Sequence, residues 1–166
     1  LNKKQDISVV ELSSFHLEHI KNLKSDIGVL LNVEQDHLDR HGSFDSYKKI
    51  KEKILFGCSV GLTVKEILLS IEPTREQIYS FEELIRPFGK EINNFFKSKW
   101  PHHEILNIKS VLSVVLAFDA LKNKNSLTEV LIEQSELINK CAEALMSFKR
   151  LQHRFEILGA RNGLTY

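Results

Sequence analysis

The segment Asn32–His41 holds the densest set of side chains that could do chemistry. Its sequence, NVEQDHLDRH, places two acids and two histidines within six residues and follows an apolar run directly. Carboxylate and imidazole groups are common ligands of divalent metals, so this segment could bind one. The alternative is a solvated, turn-rich loop whose acids cap the next helix. Spacing alone leaves both interpretations open.

Glu11 is a second candidate because it lies near the end of an apolar run, Asp6–Leu12 (DISVVEL). An acid at the end of a buried strand is costly unless it is paired or holds a cation. A hydrogen-bonded structural acid fits the position equally well.

The elements that would position these side chains alternate between strand and helix. Asp6–Leu12 and Asp26–Val33 are β-branched, apolar runs of the kind found in parallel sheets covered on both faces. Phe15–Leu23, between them, predicts a loop leading into a short helix. Parallel β-α-β units bind ligands at the carboxyl ends of their strands, where Glu11 and Asn32 fall. We therefore expect an α/β fold with a mostly parallel sheet and helices on both faces.

Helical patterns dominate the rest of the chain. Ser43 as N-cap and Gly57 as the residue after the last turn predict a helix over Phe44–Phe56. Apolar residues at a period of 3.6 predict another over Glu104–Leu121. A third is predicted over Ser126–Leu151, which opens with the capping-box pattern S-x-x-E.

Three other stretches are less regular. The stretch Gly61–Ile71 is ambiguous between strand and helix, and Pro73–Trp100 is interpreted as one or two helices interrupted near Pro87 and Gly89. In the tail, Asn162-Gly163 between apolar runs predicts a β-hairpin with a type I′ turn. A hairpin after a helical run is a credible domain boundary.

Composition excludes several classes of function. The 166 residues include 23 Lys+Arg and 22 Asp+Glu, for a net charge of +1, which argues against a nucleic-acid partner. Cys58 and Cys141 lie far apart, so neither a disulfide framework nor a zinc site is expected, and free thiols fit a reducing, cytoplasmic compartment. No apolar run reaches the roughly 20 residues that span a bilayer, so no membrane partner is expected. The chain begins without Met and stops inside a predicted strand, so we expect a fragment.

Two strings taken together resemble the Mur ligases of peptidoglycan synthesis: Glu11–Glu18 (ELSSFHLE) and Asn32–His41. Within that family, the first string is similar to the members that add D-glutamate to UDP-N-acetylmuramoyl-L-alanine. The resemblance implies that residues 1–151 are part of the central ATP-binding domain of the family and that residues 152–166 begin its C-terminal domain.

The resemblance also implies roles for individual residues in these two strings. Glu11 would be a ligand of Mg²⁺ near the ATP phosphates, and His37 a ligand of a second Mg²⁺. Ser13 and Ser14 would lie beside the muramoyl substrate, with Ser13 the better candidate.

Tyr47–Lys51 (YKKIK) resembles the segment that holds the lysine carbamylated in this family, and Lys51 aligns best. A neutral amine that adds CO₂ becomes an anionic carbamate, which can hold a cation. The loop before this segment is one residue shorter than the family pattern, so Lys48 and Lys49 stay open as alternatives. Without the motif, Lys51 would be interpreted as an ordinary surface lysine.

His102–Asn107 (HHEILN) resembles the family pattern G-x-H-N-x-x-N, which opens a helix and contacts adenine. The match implies ATP contacts for His103 and Asn107, although Glu104 replaces the first Asn. The alternative is a polar cluster at a helix start.

Leu151–Glu156 (LQHRFE) resembles the family pattern L-P-H-R-x-E, with Gln152 in place of Pro. This match implies that Arg154 binds the ATP phosphates, for which its planar cation is well suited. A salt bridge between Arg154 and Glu156 is the alternative.

The implied reaction is phosphoryl transfer from ATP to the substrate carboxyl, followed by attack of the D-glutamate amine on the acyl phosphate. Two Mg²⁺ ions would neutralise the crowded charge. The resemblance implies that the parent protein is a ligase, and we expect it to be a monomer. The 166 residues contain no G-x-x-G-K-[ST] phosphate loop, so we expect this chain to be inactive alone. The alternatives are a non-catalytic remnant or binding domain of the same fold, and a sibling ligase that adds another amino acid.

Overall fold

The structure is a computed structural model, and it describes residues 7–71, 77–90, 102–127, 135–148, 160–161 and 164–165. The described elements are, in chain order, α1 (Ser14–His19), β1 (Ser25–Leu30), α2 (Leu38–His41), α3 (Phe44–Phe56), β2 (Cys58–Thr63), α4 (Lys65–Leu68), β3 (Ile78–Ser80), α5 (Phe81–Ile85), a 3₁₀ turn (Arg86–Phe88), α6 (His102–Asn123), α7 (Ser135–Ser147), β4 (Ala160–Arg161) and β5 (Leu164–Thr165).

A parallel sheet organises the described part of the chain, with the strand order β1-β2-β3. Leu30 of β1 lies opposite Thr63 of β2, which in turn lies opposite Ser80 of β3. The carboxyl ends of the three strands therefore meet at one edge. The Thr63 hydroxyl donates a 2.8 Å hydrogen bond to the Leu30 carbonyl and ties the first two strands together at that edge.

Apolar clusters cover both faces of the sheet. The larger cluster joins β2 to α5, α6 and α7 and includes Leu62, Leu112 and Ile138. The smaller one joins β1 and β3 to α3 and α4 and includes Leu55, which is fully buried. The predicted α/β fold, with a parallel sheet between helices, is confirmed.

Local signals placed α3 correctly. The Ser43 hydroxyl accepts a 3.2 Å hydrogen bond from the amide of Ser46, and the helix ends at Gly57, as predicted. The helix predicted over Glu104–Leu121 is also confirmed, within a slightly longer α6.

The strand predicted over Asp6–Leu12 is wrong for its described residues, because 7–13 form neither helix nor strand. Its apolar side chains Ile7, Val9 and Val10 are 69%, 94% and 68% exposed. A strand needs hydrogen bonds from a neighbouring strand, and among the described residues β1 pairs only with β2. The strand predicted over Asp26–Val33 exists but ends at Leu30, where its pairing with β2 stops.

The prediction of helix over Pro73–Trp100 missed β3, because a strand of three residues is too short to show a pattern in sequence. The remaining described residues of that stretch form α5 and the 3₁₀ turn at Pro87, where an interruption was predicted. The ambiguous stretch Gly61–Ile71 contains the end of β2 and then α4.

The helix predicted over Ser126–Leu151 is described as α7, and it ends at Ser147 rather than at Leu151. Glu129, the partner in the predicted capping box, lies outside the described residues. The predicted antiparallel pairing in the tail is confirmed, because Arg161 pairs with Leu164, whereas the type I′ turn predicted at Asn162-Gly163 lies outside the described residues. None of the helices in the described ranges is both long and apolar enough to cross a bilayer.

Candidate functional site

A cleft of about 160 Å³ opens beyond the carboxyl end of β1. Asn32 and Lys51 are the polar side chains among its lining residues, and the rest of the wall is apolar. The apolar lining residues are Leu12, Leu17, Val29, Leu30, Leu31 and Ile54. This β1-edge cleft lies where α/β folds bind ligands, and it contains one of the residues assigned to the site by the sequence.

Lys51 extends from α3 into the cleft and is half-buried. Its Nζ lies 5.4 Å from the centroid of the Tyr47 ring, one helical turn earlier. The alternative Lys48 instead donates a 2.7 Å hydrogen bond to the hydroxyl of Ser70, and Lys49 is exposed. Of the three lysines that the sequence left open, Lys51 is the one that lines the cleft.

Four rings form a cluster beside Lys51: Phe15, His37, His41 and Tyr47. The Phe15 centroid lies 5.0 Å from that of His37 and 5.7 Å from that of His41. Tyr47 lies 6.4 Å from His37 and 5.4 Å from His41. This ring cluster joins the beginning of α1, the two ends of α2 and the first half of α3.

His37 has an unusual backbone conformation. Its φ of 49° and ψ of 35° lie in the left-handed region, which costs a non-glycine residue roughly 1–3 kcal/mol. The Asp36 carboxylate stabilises the turn by accepting a 2.8 Å hydrogen bond from the His37 amide. The same carboxylate lies 3.4 Å from His37 Nε2, in a contact that is largely exposed. The imidazole predicted to bind metal is therefore open to solvent.

The two serines have different surroundings. Ser13 is the exposed N-cap of α1, and its hydroxyl lies 2.8 Å from His16 Nδ1 in a capping box. Ser14 is only 5% exposed, and its hydroxyl lies 3.1 Å from His41 Nε2, across 27 residues of sequence. Ser14 thus contacts the ring cluster, whereas the hydroxyl of Ser13 is used within its own helix.

The other residues predicted for the site do not line the β1-edge cleft in the part of the chain that is described. Glu11 is exposed on the irregular segment before α1, and Asn107 is exposed on α6. His103 lies in the first turn of α6, where only its backbone is described, and Arg154 lies outside the described residues. Across the described ranges, no group of three His, Cys, Asp or Glu side chains is arranged to hold a metal ion.

Sequence analysis gives His41 only a place among the possible metal ligands of Asn32–His41 and gives Tyr47 no role in the site, although both contact the predicted residues. A signal was present in the spacing. His37 and His41 are four residues apart, as are Tyr47 and Lys51, and side chains at that spacing on a helix are neighbours.

Comparison with known proteins gives a consistent result. The family model of the Mur ligase middle domain matches residues 1–84. A UDP-N-acetylmuramoylalanine–D-glutamate ligase of Haemophilus influenzae is 29% identical, over all of this chain and 38% of that protein. Proteins of the same name from Saccharophagus degradans and Buchnera aphidicola are each 30% identical, over 97% and 100% of this chain and 36% and 38% of their own lengths. The chain thus spans little more than a third of these relatives. No solved structure matches it.

Proposed function

The chain belongs to the Mur ligase family, and we infer that it is part of an ATP-dependent ligase that joins D-glutamate to UDP-N-acetylmuramoyl-L-alanine. One observation carries this proposal: Lys51, His37 and His41 all lie within 6.4 Å of the Tyr47 ring centroid, and a hydrogen-bonding contact joins His41 to Ser14. These elements come from both strings that resemble the family. The names of the relatives specify D-glutamate, which supports the proposal of this amino acid as the substrate.

We propose that Glu11 holds one Mg²⁺ near the ATP phosphates, that His37 holds a second Mg²⁺, and that a carbamate on Lys51 is a further ligand. The chemistry of the donors supports the fit, because carboxylate oxygens and an imidazole are accepted ligands, but Lys51 fits only once it is modified. In the modification, the unprotonated amine forms an N–C bond with CO₂ and a proton is released. The resulting anion would join the amide of Asn32 in a cleft that is otherwise apolar. When bound, Mg²⁺ would neutralise charge between the phosphate and carboxylate groups.

The residues of this chain would bind and orient the reactants. Ser13 and Ser14 would lie beside the muramoyl substrate, whose carboxylate oxygen attacks the γ-phosphorus of ATP as the bond to the bridging oxygen breaks and ADP leaves. The D-glutamate amine then attacks the acyl carbon, and phosphate leaves. Water would hydrolyse an acyl phosphate, so the apolar wall made by Leu12 and Leu31 would protect it.

For ATP itself, we propose that His103 and Asn107 contact adenine and that Arg154 contacts the phosphates. The 166 residues contain no phosphate loop, so we propose that this chain alone does not catalyse the ligase reaction. We also propose that a domain boundary lies near residue 151 and that the ligase is monomeric and cytoplasmic. A separate two-stranded sheet after that point supports the boundary.

The test uses the protein made from the open reading frame that encodes this chain. It is incubated with ATP, Mg²⁺, UDP-N-acetylmuramoyl-L-alanine and one amino acid at a time, and the masses of the products are measured by mass spectrometry. We expect one added glutamate residue with D-glutamate and none with L-glutamate, the matched control. A product with a different amino acid would indicate a sibling ligase. Nucleotide binding without any product would favour the non-catalytic remnant, which the substitutions at Glu104 and Gln152 motivate.

A further inference from the structure

We propose that His41 is a positioning residue, which holds α2, and with it His37, against the N-terminal turn of α1. The catalytic consequence of this role rests on the proposed function, whereas the geometry does not. The sequence offers His41 only as one of the possible metal ligands in Asn32–His41, whereas in this role it would act through Ser14 and the ring cluster rather than by touching a metal or a reactant.

The first support is a hydrogen bond between His41 Nε2 and Ser14 Oγ, at 3.1 Å. Ser14 is almost fully buried, so water cannot readily replace His41 as the hydrogen-bond partner of its hydroxyl. Buried polar groups that lose a partner destabilise the arrangement that buried them. The bond therefore selects one placement of α2 relative to α1.

The second support is the packing of the His41 ring between Phe15 and Tyr47, at 5.7 and 5.4 Å between centroids. These two rings also contact His37, at 5.0 and 6.4 Å. The two imidazoles thus share both of their aromatic neighbours. A displacement of His41 changes the surroundings of His37 through contacts they have in common.

The third support is that α2 cannot place itself. It has four residues and lies between two residues of positive φ, His37 as its N-cap and Gly42, whose φ is 76°, as its C-cap. A helix of one turn has little stability of its own, so contacts from its side chains must fix it. Arg40 provides a second tie, at 3.2 Å from the Glu18 carboxylate, but this pair is largely exposed and contributes little.

Four variants separate the two contacts of His41. His41→Phe keeps a ring and removes the hydrogen bond, whereas His41→Gln keeps a polar group that can reach Ser14 and removes the ring. Ser14→Ala removes the other partner. His19→Phe is the matched control, since it makes the same change at an exposed histidine of α1.

The first readout is the NMR spectrum of the His37 imidazole in the full 166-residue chain, which needs no ligand. We expect His41→Phe and Ser14→Ala each to shift the His37 ring resonances, and the double variant to shift them no further than either single change. His19→Phe should leave them in place. Unchanged His37 resonances in the single variants, or shifts that simply add in the double variant, would overturn the proposal.

The second readout is ligase kinetics of the protein made from the whole open reading frame. Because Ser14 would lie beside the muramoyl substrate, His41→Phe should raise the KM for that substrate about tenfold while kcat is retained, as expected for one lost hydrogen bond. His41→Gln should recover part of the loss. A fall in thermal stability with unchanged kcat and KM would show a merely structural role and contradict the proposal. If the wild-type protein makes no product, the proposed function fails, and the NMR result still decides the role of His41.

Discussion

Lys51 Nζ lies 5.4 Å from the centroid of the Tyr47 ring, one turn apart on α3. The face of an aromatic ring attracts a cation, so Tyr47 favours the conformation in which Lys51 lines the β1-edge cleft. The same ring contacts His37 and His41 from α2. Tyr47 is only 6% exposed, and it therefore connects three functional candidates to the interior of the protein.

Replacement of Tyr47 should separate the packing of its ring from its hydroxyl. Tyr47→Ala leaves a cavity beneath the ring cluster and should lower the free energy of unfolding by about 3–5 kcal/mol. Tyr47→Phe preserves the ring and should lower it by less than about 1.5 kcal/mol. Urea denaturation followed by circular dichroism measures both. Equal midpoints for the two variants would show that the ring does not support the fold.

Gly28 of β1 is predicted to be intolerant of any side chain. A Cβ there would press against the Ile54 carbonyl oxygen and lie 2.9 Å from Cys58 Sγ, so β1 would have to move away from α3. Gly28→Ala should therefore lower the free energy of unfolding by about 1–3 kcal/mol. In the control, Gly89→Ala, a Cβ meets nothing within 4 Å. That variant should match the wild type or gain up to about 1 kcal/mol, and the same loss in both variants would contradict the close approach at Gly28.

Cys58 should react slowly in the folded chain. Burial raises the pKa of its thiol above the usual 9.0, and a hydrogen bond from the Gly28 backbone only partly opposes this. Because the thiolate is the nucleophile, alkylation by iodoacetamide near neutral pH should be much slower in the folded chain than in urea. The measurement uses Cys141→Ser, which leaves Cys58 as the single thiol. Equal rates with and without urea would contradict the burial of Cys58.

The same shift predicts a pH dependence of stability. A folded-state pKa above the unfolded value means that the contribution of this thiol is complete below about pH 9 and is lost as the pH rises through the folded pKa. The free energy of unfolding should therefore fall more steeply above pH 9 in the wild type than in Cys58→Ala. If the free energy of unfolding fell equally with pH in both proteins, the Cys58 thiol would not contribute to the pH dependence.

Local signals predicted the elements whose ends depend on nearby residues. Ser43 and Gly57 bound α3 because an N-cap and a helix-ending glycine act within one turn of the backbone. The Asn162-Gly163 hairpin was predictable for the same reason, since the turn alone sets its register. The motifs around Glu11, His37 and Lys51 predict site residues, and these roles stay predictions.

Features that depend on distant contacts were not predictable. Residues 7–13 have a strand-like composition, but composition does not show whether a neighbouring strand is available to pair with them. The hydrogen bond between Ser14 and His41 joins residues 27 positions apart, and no local pattern encodes it. Only the fold brings α1 and α2 together and thus shows which of the two serines contacts the ring cluster.

We propose that Lys51, at the β1-edge cleft, belongs to the catalytic site of a D-glutamate ligase. The most direct test is D-glutamate-dependent phosphate release by the protein from the whole open reading frame, compared with its Lys51→Ala and Lys49→Ala variants. Lys49 is an exposed lysine on the same helix and serves as the matched control. We expect a loss of about a hundredfold for Lys51→Ala and a nearly unchanged rate for Lys49→Ala. Equal rates for all three proteins would contradict the proposal.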